Sequence, residues 1–109
     1  MKLPNGDRAI VDDRKLQEYC LNFQHARGRN KARVFAAFGI HQSDAHVLRE
    51  ALLQAAMEAE AVEGVSNAYG RRYIVDFDLV HDSRAPRVRS TWIIRSGEVC
   101  PRLTSCYVL

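Results

Sequence analysis

The spacing of the apolar residues changes once along the chain, and this change constrains the fold more than any other feature. Before Gly64 the apolar residues recur at steps of three and four, whereas after Gly70 they alternate with polar residues. The first spacing is typical of an amphipathic helix and the second of a half-buried strand. Helices followed by strands, rather than alternating with them, indicate an α+β fold with the helices packed on one side of an antiparallel sheet.

The first half of the chain predicts three helices. Asp12 or Asp13 can cap the start of the first helix. The second helix covers about residues 30–38 and ends at Gly39, and the third, longer helix takes Ser43 as its N-cap. The apolar contacts predicted for the three helices are Leu16, Tyr19, Cys20 and Phe23, then Val34, Phe35 and Phe38, then Ala45, Leu48, Leu52, Ala55 and Ala59.

The second half predicts about three antiparallel strands, over residues 72–80, 87–95 and 102–109, in a single domain of residues 1–109. Trp92 alternates with Val88 and Ile94, so we assign it to the core rather than to a surface on which a base could stack. The opposite face of the same strand carries cations. These cations are Arg87, Arg89 and Arg95. They either form a basic surface or pair across the hairpin with the acids Asp76 and Asp78.

Size and composition predict an ordinary folded domain with an anionic partner. A chain of 109 residues can bury a core without cross-links. Its apolar fraction of 47% and charged fraction of 27% exclude disordered and fibrous classes. The net charge of +3 and the pI near 9.0 favour binding to anions. The acids concentrate in and after the third helix, at Asp44, Glu50, Glu58, Glu60 and Glu63.

The cations concentrate in residues 25–35, HARGRNKARVF, which we call the basic segment. It holds His25, Arg27, Arg29, Lys31 and Arg33 and contains no acid. A cation in the first turn of a helix opposes the helix dipole and costs ~0.3–1 kcal/mol. Because the free N–H groups of a helix start bind anions, we interpret this unfavourable placement as a phosphate-binding feature.

The cysteines and histidines predict neither a disulfide framework nor a metal site. Cys20, Cys100 and Cys106 are an odd number, and no apolar run resembles a secretory leader or a membrane span, so we expect a cytoplasmic protein without a membrane partner. His41 and His46 are five residues apart instead of four, and no CxxC spacing occurs. We therefore expect no metal and no cofactor.

Four motifs occur in the order LNFQHARGRNKARVF, YG, VRSTWIIRSGE and PRLTSCYV. This order resembles a family of small uncharacterised bacterial and phage-associated domains that are similar to the barnase, EndoU, colicin and RelE group of toxin ribonucleases. The resemblance covers about residues 16–108. It implies a barnase- or RelE-like layout of N-terminal helices before an antiparallel sheet, and RNA cleavage without a metal.

The resemblance also implies the site residues, to which we add Arg33 from the basic segment. His25 would carry protons, because the ordinary pKa of a histidine lies near neutrality, and Arg29 and Lys31 would stabilise phosphate charge. Thr104 or Ser105 would orient the phosphate; neighbours on a strand face opposite sides, so only one of the two can lie in the site. The residues predicted to bind the substrate are Arg27, Arg33, Arg89, Arg102 and Tyr107, with Trp92 as a further stacking candidate that its alternation disfavours.

The expected function is an endoribonuclease toxin domain that cleaves RNA in the bacterial cytoplasm by attack of the 2′-hydroxyl group. An antitoxin or immunity protein would cover its basic face. Two alternatives remain open. One is a non-catalytic domain on the same fold that binds nucleic acid or phosphate. The other is a protein-interaction domain whose acidic third helix, through Glu50 and Glu58, docks a basic partner.

Overall fold

A computed structural model of the chain describes residues 1–22 and 29–109, and it consists of helices packed against a four-stranded antiparallel sheet. The strands are adjacent in chain order, and their bounds are β1 (Ala61–Glu63), β2 (Gly70–Asp78), β3 (Arg87–Arg95) and β4 (Arg102–Val108). The α+β prediction is confirmed, but the prediction of three strands is wrong. β1 has only three residues, which are too few to display an alternating pattern.

The N-terminal residues pair with both edges of the sheet. Along the chain, the three predicted helices therefore come after these pairing residues and before β1. Lys2 bridges to Glu60 beside β1, and Ile10 forms a parallel bridge with Arg102 of β4. Between these bridges, Gly6 passes so close to helix α3 (Ala45–Glu58) that a Cβ atom there would lie 1.9 Å from the carbonyl oxygen of Ala56. The sequence pattern did not predict that these residues join the sheet.

The first predicted helix is a mixture of two helical types. It begins as the single α-helical turn α1 (Asp13–Lys15), and the side chain of Asp12 accepts a hydrogen bond from the backbone N–H of Arg14, as a capping residue does. The chain continues as a π-helical turn (Leu16–Cys20), closed by a bond of 2.9 Å from the N–H of Leu21 to the carbonyl of Leu16. Leu16 and Cys20 are fully buried, as predicted.

Helix α2 (Arg29–Ala37) agrees with the second predicted helix, and the predicted stop at Gly39 is confirmed. Gly39 has a φ of +83°, a left-handed conformation that glycine adopts without strain. Its N–H donates to the carbonyl of Ala36 at 2.9 Å, and the N–H of Ile40 donates to the carbonyl of Phe35 at 2.9 Å. This pair of bonds is a Schellman motif, which satisfies carbonyl groups at the end of the helix.

Helix α3 (Ala45–Glu58) is the third predicted helix, but its predicted cap is wrong. Ser43 lies inside a short 3-10 helix (Gln42–Asp44) that precedes α3. The Asp44 carboxylate accepts a hydrogen bond from the N–H of His41 at 3.0 Å, so these residues, rather than Ser43, close the start. Leu48 and Leu52 of α3 are fully buried and belong to the core.

The inner face of the sheet forms the other half of this core, and it follows the predicted alternation. The fully buried side chains of this face include Val75, Val88, Trp92 and Cys106. The indole N–H of Trp92 donates to the hydroxyl of Ser90 at 2.9 Å, so its polar atom is satisfied inside the core. Trp92 is therefore a core residue, as its alternation predicts, and it offers no face on which a base could stack.

Candidate functional site

The start of α2 and the last strand meet, although they are far apart in sequence. The Lys31 ammonium Nζ donates a hydrogen bond of 2.9 Å to the hydroxyl of Ser105, across 74 positions of the chain. The same Nζ lies 5.3 Å from the centre of the Tyr107 ring, within the range of a cation–π interaction. A cation, a hydroxyl group and an aromatic ring that the sequence analysis selected are thus brought together.

A β-bulge decides which of the two neighbouring hydroxyl groups faces Lys31. Thr91 of β3 pairs with Ser105, and Trp92 pairs with Leu103, so Thr104 is an extra residue in β4. The hydroxyl of Thr104 donates to the carbonyl of Thr91 at 2.9 Å and hydrogen-bonds to the hydroxyl of Thr91 at 2.6 Å. Ser105 is therefore the partner of Lys31, while Thr104 holds the bulge against β3.

A shallow surface cavity of about 250 Å³ lies beside this contact. Helix α2 lines it with Asn30, Lys31 and Val34, and β4 lines it with Tyr107 and Val108. Asn30 and Val34 are one helical turn apart and therefore share a face of α2. The sequence analysis assigned Val34 to the apolar contacts of its helix, but 42% of its surface is exposed, so the assignment to the core is wrong.

Two buried cysteines lie within the electrostatic reach of Lys31. Cys20 at the end of the π-helical turn and Cys106 of β4 are both fully buried. A hydrogen bond from the Cys106 thiol lowers the pKa of Cys20 to about 7, with smaller contributions from the Cys106 backbone and the charge of Lys31. The same bond and burial raise the pKa of Cys106 above its usual value. The charge of Lys31 thus favours the thiolate form of both buried cysteines, although it is a minor contribution to each pKa.

Two arginines of β3 are engaged by carboxylates, and one of them, Arg89, was predicted to bind the substrate. The guanidinium of Arg89 donates two hydrogen bonds of 2.9 Å to Asp76, and Arg87 donates one of 3.3 Å to Asp78. This is the cross-hairpin pairing that the sequence analysis offered as the alternative to a basic surface. The hydrogen bonds that Arg89 donates to Asp76 lower the pKa of Asp76 and, assisted by Tyr107, raise the pKa of Arg89.

Arg102 at the start of β4 is engaged in the same way. Its guanidinium lies 3.0 Å from Glu98, and this hydrogen bond lowers the pKa of the Glu98 carboxyl. Arg89 and Arg102 would therefore have to leave or share these carboxylates in order to bind a phosphate. Their predicted role in substrate binding stays a prediction.

The basic segment is described only in part. His25 and Arg27 lie outside the described residues, so their predicted roles stay predictions. Arg29 is the first residue of α2, and Arg33 is exposed on the same helix. The predicted placement of cations at the start of a helix is confirmed, because Arg29 and Lys31 occupy the first turn of α2 and no acid does.

Within residues 1–22 and 29–109, no three His, Cys, Asp or Glu side chains are arranged to hold a metal ion. Over the same residues, no helix is long and apolar enough to cross a membrane.

Comparison with known proteins adds a family but no function. A family model described as a domain of unknown function (DUF6883) matches residues 2–109, nearly the whole chain. The chain belongs to the DUF6883 family. No curated protein and no solved structure matches this DUF6883 domain at a significant level.

Proposed function

We propose that this DUF6883 domain binds the phosphate backbone of RNA at Lys31 and Ser105 and cleaves it as a metal-independent endoribonuclease toxin. The contact of 2.9 Å between the Lys31 ammonium and the Ser105 hydroxyl carries the proposal. An ammonium group and a hydroxyl group at this separation can both donate hydrogen bonds to the non-bridging oxygens of one phosphate. The order of helices before an antiparallel sheet agrees with the layout that the ribonuclease resemblance implies.

In the proposed reaction, the ribose 2′-oxygen attacks the neighbouring phosphorus atom and the bond to the 5′-oxygen breaks. A base removes the 2′-hydroxyl proton, and an acid protonates the departing 5′-oxygen, which leaves a 2′,3′-cyclic phosphate. His25 is the proposed proton carrier, on the basis of the sequence resemblance. Lys31 and Ser105 bind the phosphate, and Lys31 stabilises the charge that develops on its oxygens.

The position of Lys31 in the first turn of α2 supports a role in binding rather than in helix stability. A cation there is unfavourable for the helix by ~0.3–1 kcal/mol, whereas an anion bound near it would be stabilised by both the cation and the helix start. Part of this cost is offset within the chain by the contacts with Ser105 and Tyr107. A bound phosphate would offset the remainder.

The test is cleavage of a single-stranded RNA by the purified chain in the presence of EDTA, with the products analysed for 2′,3′-cyclic phosphate ends. Lys31→Ala is expected to lower the cleavage rate by about 10²–10³-fold, the usual cost of removing a group that stabilises transition-state charge. His25→Ala is expected to lower it by about 10²–10⁴-fold, as for the loss of a general acid or base. Arg71→Ala is the matched control, since Arg71 is an exposed cation on β2.

Full cleavage by the Lys31→Ala or His25→Ala variant would contradict the proposed roles. RNA binding that depends on Lys31 without any cleavage would instead support the alternative of a non-catalytic nucleic-acid-binding domain. Binding of a basic protein that depends on Glu50 and Glu58, with no affinity for RNA, would support the interaction domain.

A further inference from the structure

We infer that the cavity between α2 and β4 binds a single unpaired nucleobase whose phosphate is held by Lys31 and Ser105. The inference rests on the proposed binding of RNA and deepens it by naming the part of the nucleotide that each group contacts. Lys31 belongs both to the cavity that would hold the base and to the contact that would hold the phosphate. It lines the cavity and also donates to Ser105 at 2.9 Å.

The size of the cavity suits one flat group. Its volume of about 250 Å³ is below the ~300–1,000 Å³ of sites that enclose a drug-sized ligand. One nucleobase is smaller than such a ligand and can enter an open site from one side. A base in a duplex is stacked on both faces and paired along one edge, so only an unpaired base can enter.

The chemistry of the lining suits a base better than it suits a second phosphate. Tyr107 offers an aromatic ring, and Val34 and Val108 offer apolar contacts, whereas Lys31 at one side is the only cation among the described residues of the lining. Stacking on an aromatic ring accepts any base, because every base has a π face. The exposed side-chain amide of Asn30 can both donate and accept hydrogen bonds at a base edge.

A larger cavity of about 410 Å³ lies between α3 and the end of β2, and its charge excludes the same ligand. Among the described residues, its lining includes no cation but two carboxylates, Glu58 and Asp78, of which Asp78 is paired with Arg87. Carboxylates repel the phosphate that accompanies every base of an RNA strand. Size alone would favour this second cavity, but the sign of the charge favours the one that contains Lys31.

The experiment measures binding of a fluorescein-labelled single-stranded RNA dodecamer in which every ribose is 2′-O-methylated, so that it cannot be cleaved by the proposed reaction. An otherwise identical strand with abasic positions and an inorganic polyphosphate serve as ligands without bases. Because stacking on one aromatic ring is worth about 1–3 kcal/mol per base, Tyr107→Ala is expected to weaken binding of the normal strand about 5–150-fold. Its binding to the two ligands without bases should stay within twofold, roughly the precision of such titrations.

Three further variants separate stacking from folding and from charge. Tyr107→Phe keeps the ring and should retain affinity, whereas Val34→Ala removes an exposed contact without disturbing the core and should weaken binding of the normal strand only. Lys31→Ala should weaken binding of all three ligands. Val62→Ala is the matched control, because Val62 is 64% exposed on β1 and does not line the cavity.

Equal affinity of the native chain for the normal and the abasic strand would overturn the inference, and so would the absence of RNA binding. Cleavage without any dependence on Tyr107 and Val34 would refute the base site but leave the ribonuclease proposal standing. Binding that depends on the bases, without cleavage of an unmodified RNA, would refute the ribonuclease proposal and leave the base site standing.

Discussion

The contact between Lys31 and Ser105 predicts a measurable coupling free energy in unfolding. The perturbation is a double-mutant cycle of Lys31→Met, Ser105→Ala and the two together. Methionine keeps most of the aliphatic stem of lysine and removes the ammonium group, so it tests the charge and not the packing. Alanine at 105 removes only the hydroxyl group. If the hydrogen bond of 2.9 Å holds α2 to β4, the two substitutions must interact.

The magnitude follows from the surroundings of Lys31. A hydrogen bond to a charged group is worth ~1.5–3 kcal/mol, and an exposed ion pair only ~0.2–1 kcal/mol. Because Lys31 is half-buried, we expect a coupling of about 1 kcal/mol between these limits. Lys31→Met also loses the cation–π contact with Tyr107, worth ~0.5–1 kcal/mol, and relieves ~0.3–1 kcal/mol of opposition to the helix dipole. These two effects nearly cancel, so the single variant should lose about 1 kcal/mol.

The assay is urea unfolding at neutral pH, followed by the fluorescence of Trp92, which is the one tryptophan of the chain and is fully buried. The double variant should be more stable, by about 1 kcal/mol, than the sum of the single losses predicts. Arg71→Met combined with Ser105→Ala is the control, and its effects should add, because β3 separates the strands that carry them. A coupling below ~0.3 kcal/mol, the ordinary error of additivity, would refute the view that this bond joins the two segments.

Three further predictions concern buried and charged groups. The pKa of Cys20 is lowered from 9.0 to about 7, so its thiolate should appear near pH 7 in absorbance at 240 nm, and Cys20→Ser should abolish this step. The lowered pKa of Cys20 stabilises the folded chain fully above about pH 9, and this stabilisation is lost as the pH falls through about 7. If the free energy of unfolding of the native chain does not rise from pH 7 to pH 9 relative to that of Cys20→Ser, the lowered pKa of Cys20 is contradicted. The pKa of Asp76 is lowered from 3.8, so its pairing with Arg89 stabilises the chain above that pH and is lost as the pH falls below it. Acid unfolding should therefore begin at higher pH in Arg89→Gln, and an unchanged acid midpoint would count against the pair. Gly6→Ala should lower the free energy of unfolding by about 1–3 kcal/mol in a urea titration, since its Cβ would lie 1.9 Å from a carbonyl oxygen of α3. Gly64→Ala meets nothing closer than 3.6 Å and should be nearly neutral; equal losses from the two would show that close approach is not the cause.

Much of the fold was predictable because a helix or strand that is buried on one face has a periodic spacing of apolar residues in its own sequence. The strand β3 has the predicted bounds, Arg87–Arg95, since buried and more exposed residues alternate from Arg87 to Trp92. The end of α2 was predictable for a similar reason, because Gly39 needs a left-handed conformation that few other residues adopt without strain. Neither feature depends on a distant part of the chain.

The features that the pattern missed depend on distant parts of the chain. β1 is short and owes its place to pairing with β2 and to a hydrogen bond of 2.7 Å from the N–H of Ala61 to the carbonyl of Met1. Val34 has the apolar character of a core residue, but α2 lies against the edge strand β4 with that side chain open to solvent. The apolar pattern therefore predicted the helix correctly but the burial of Val34 wrongly, because exposure depends on what packs against the helix.

The sequence by itself determined that helices precede an antiparallel sheet, that Trp92 is buried and that cations gather at a helix start. The tertiary structure alone decided that Lys31 meets Ser105 and Tyr107, and that Thr104 turns instead to Thr91. The physical reason is that the period of a helix or strand records only which side of it is buried. Contacts across 74 residues depend on the register of β4 and on its bulge, which arise only when the strands and helices pack together.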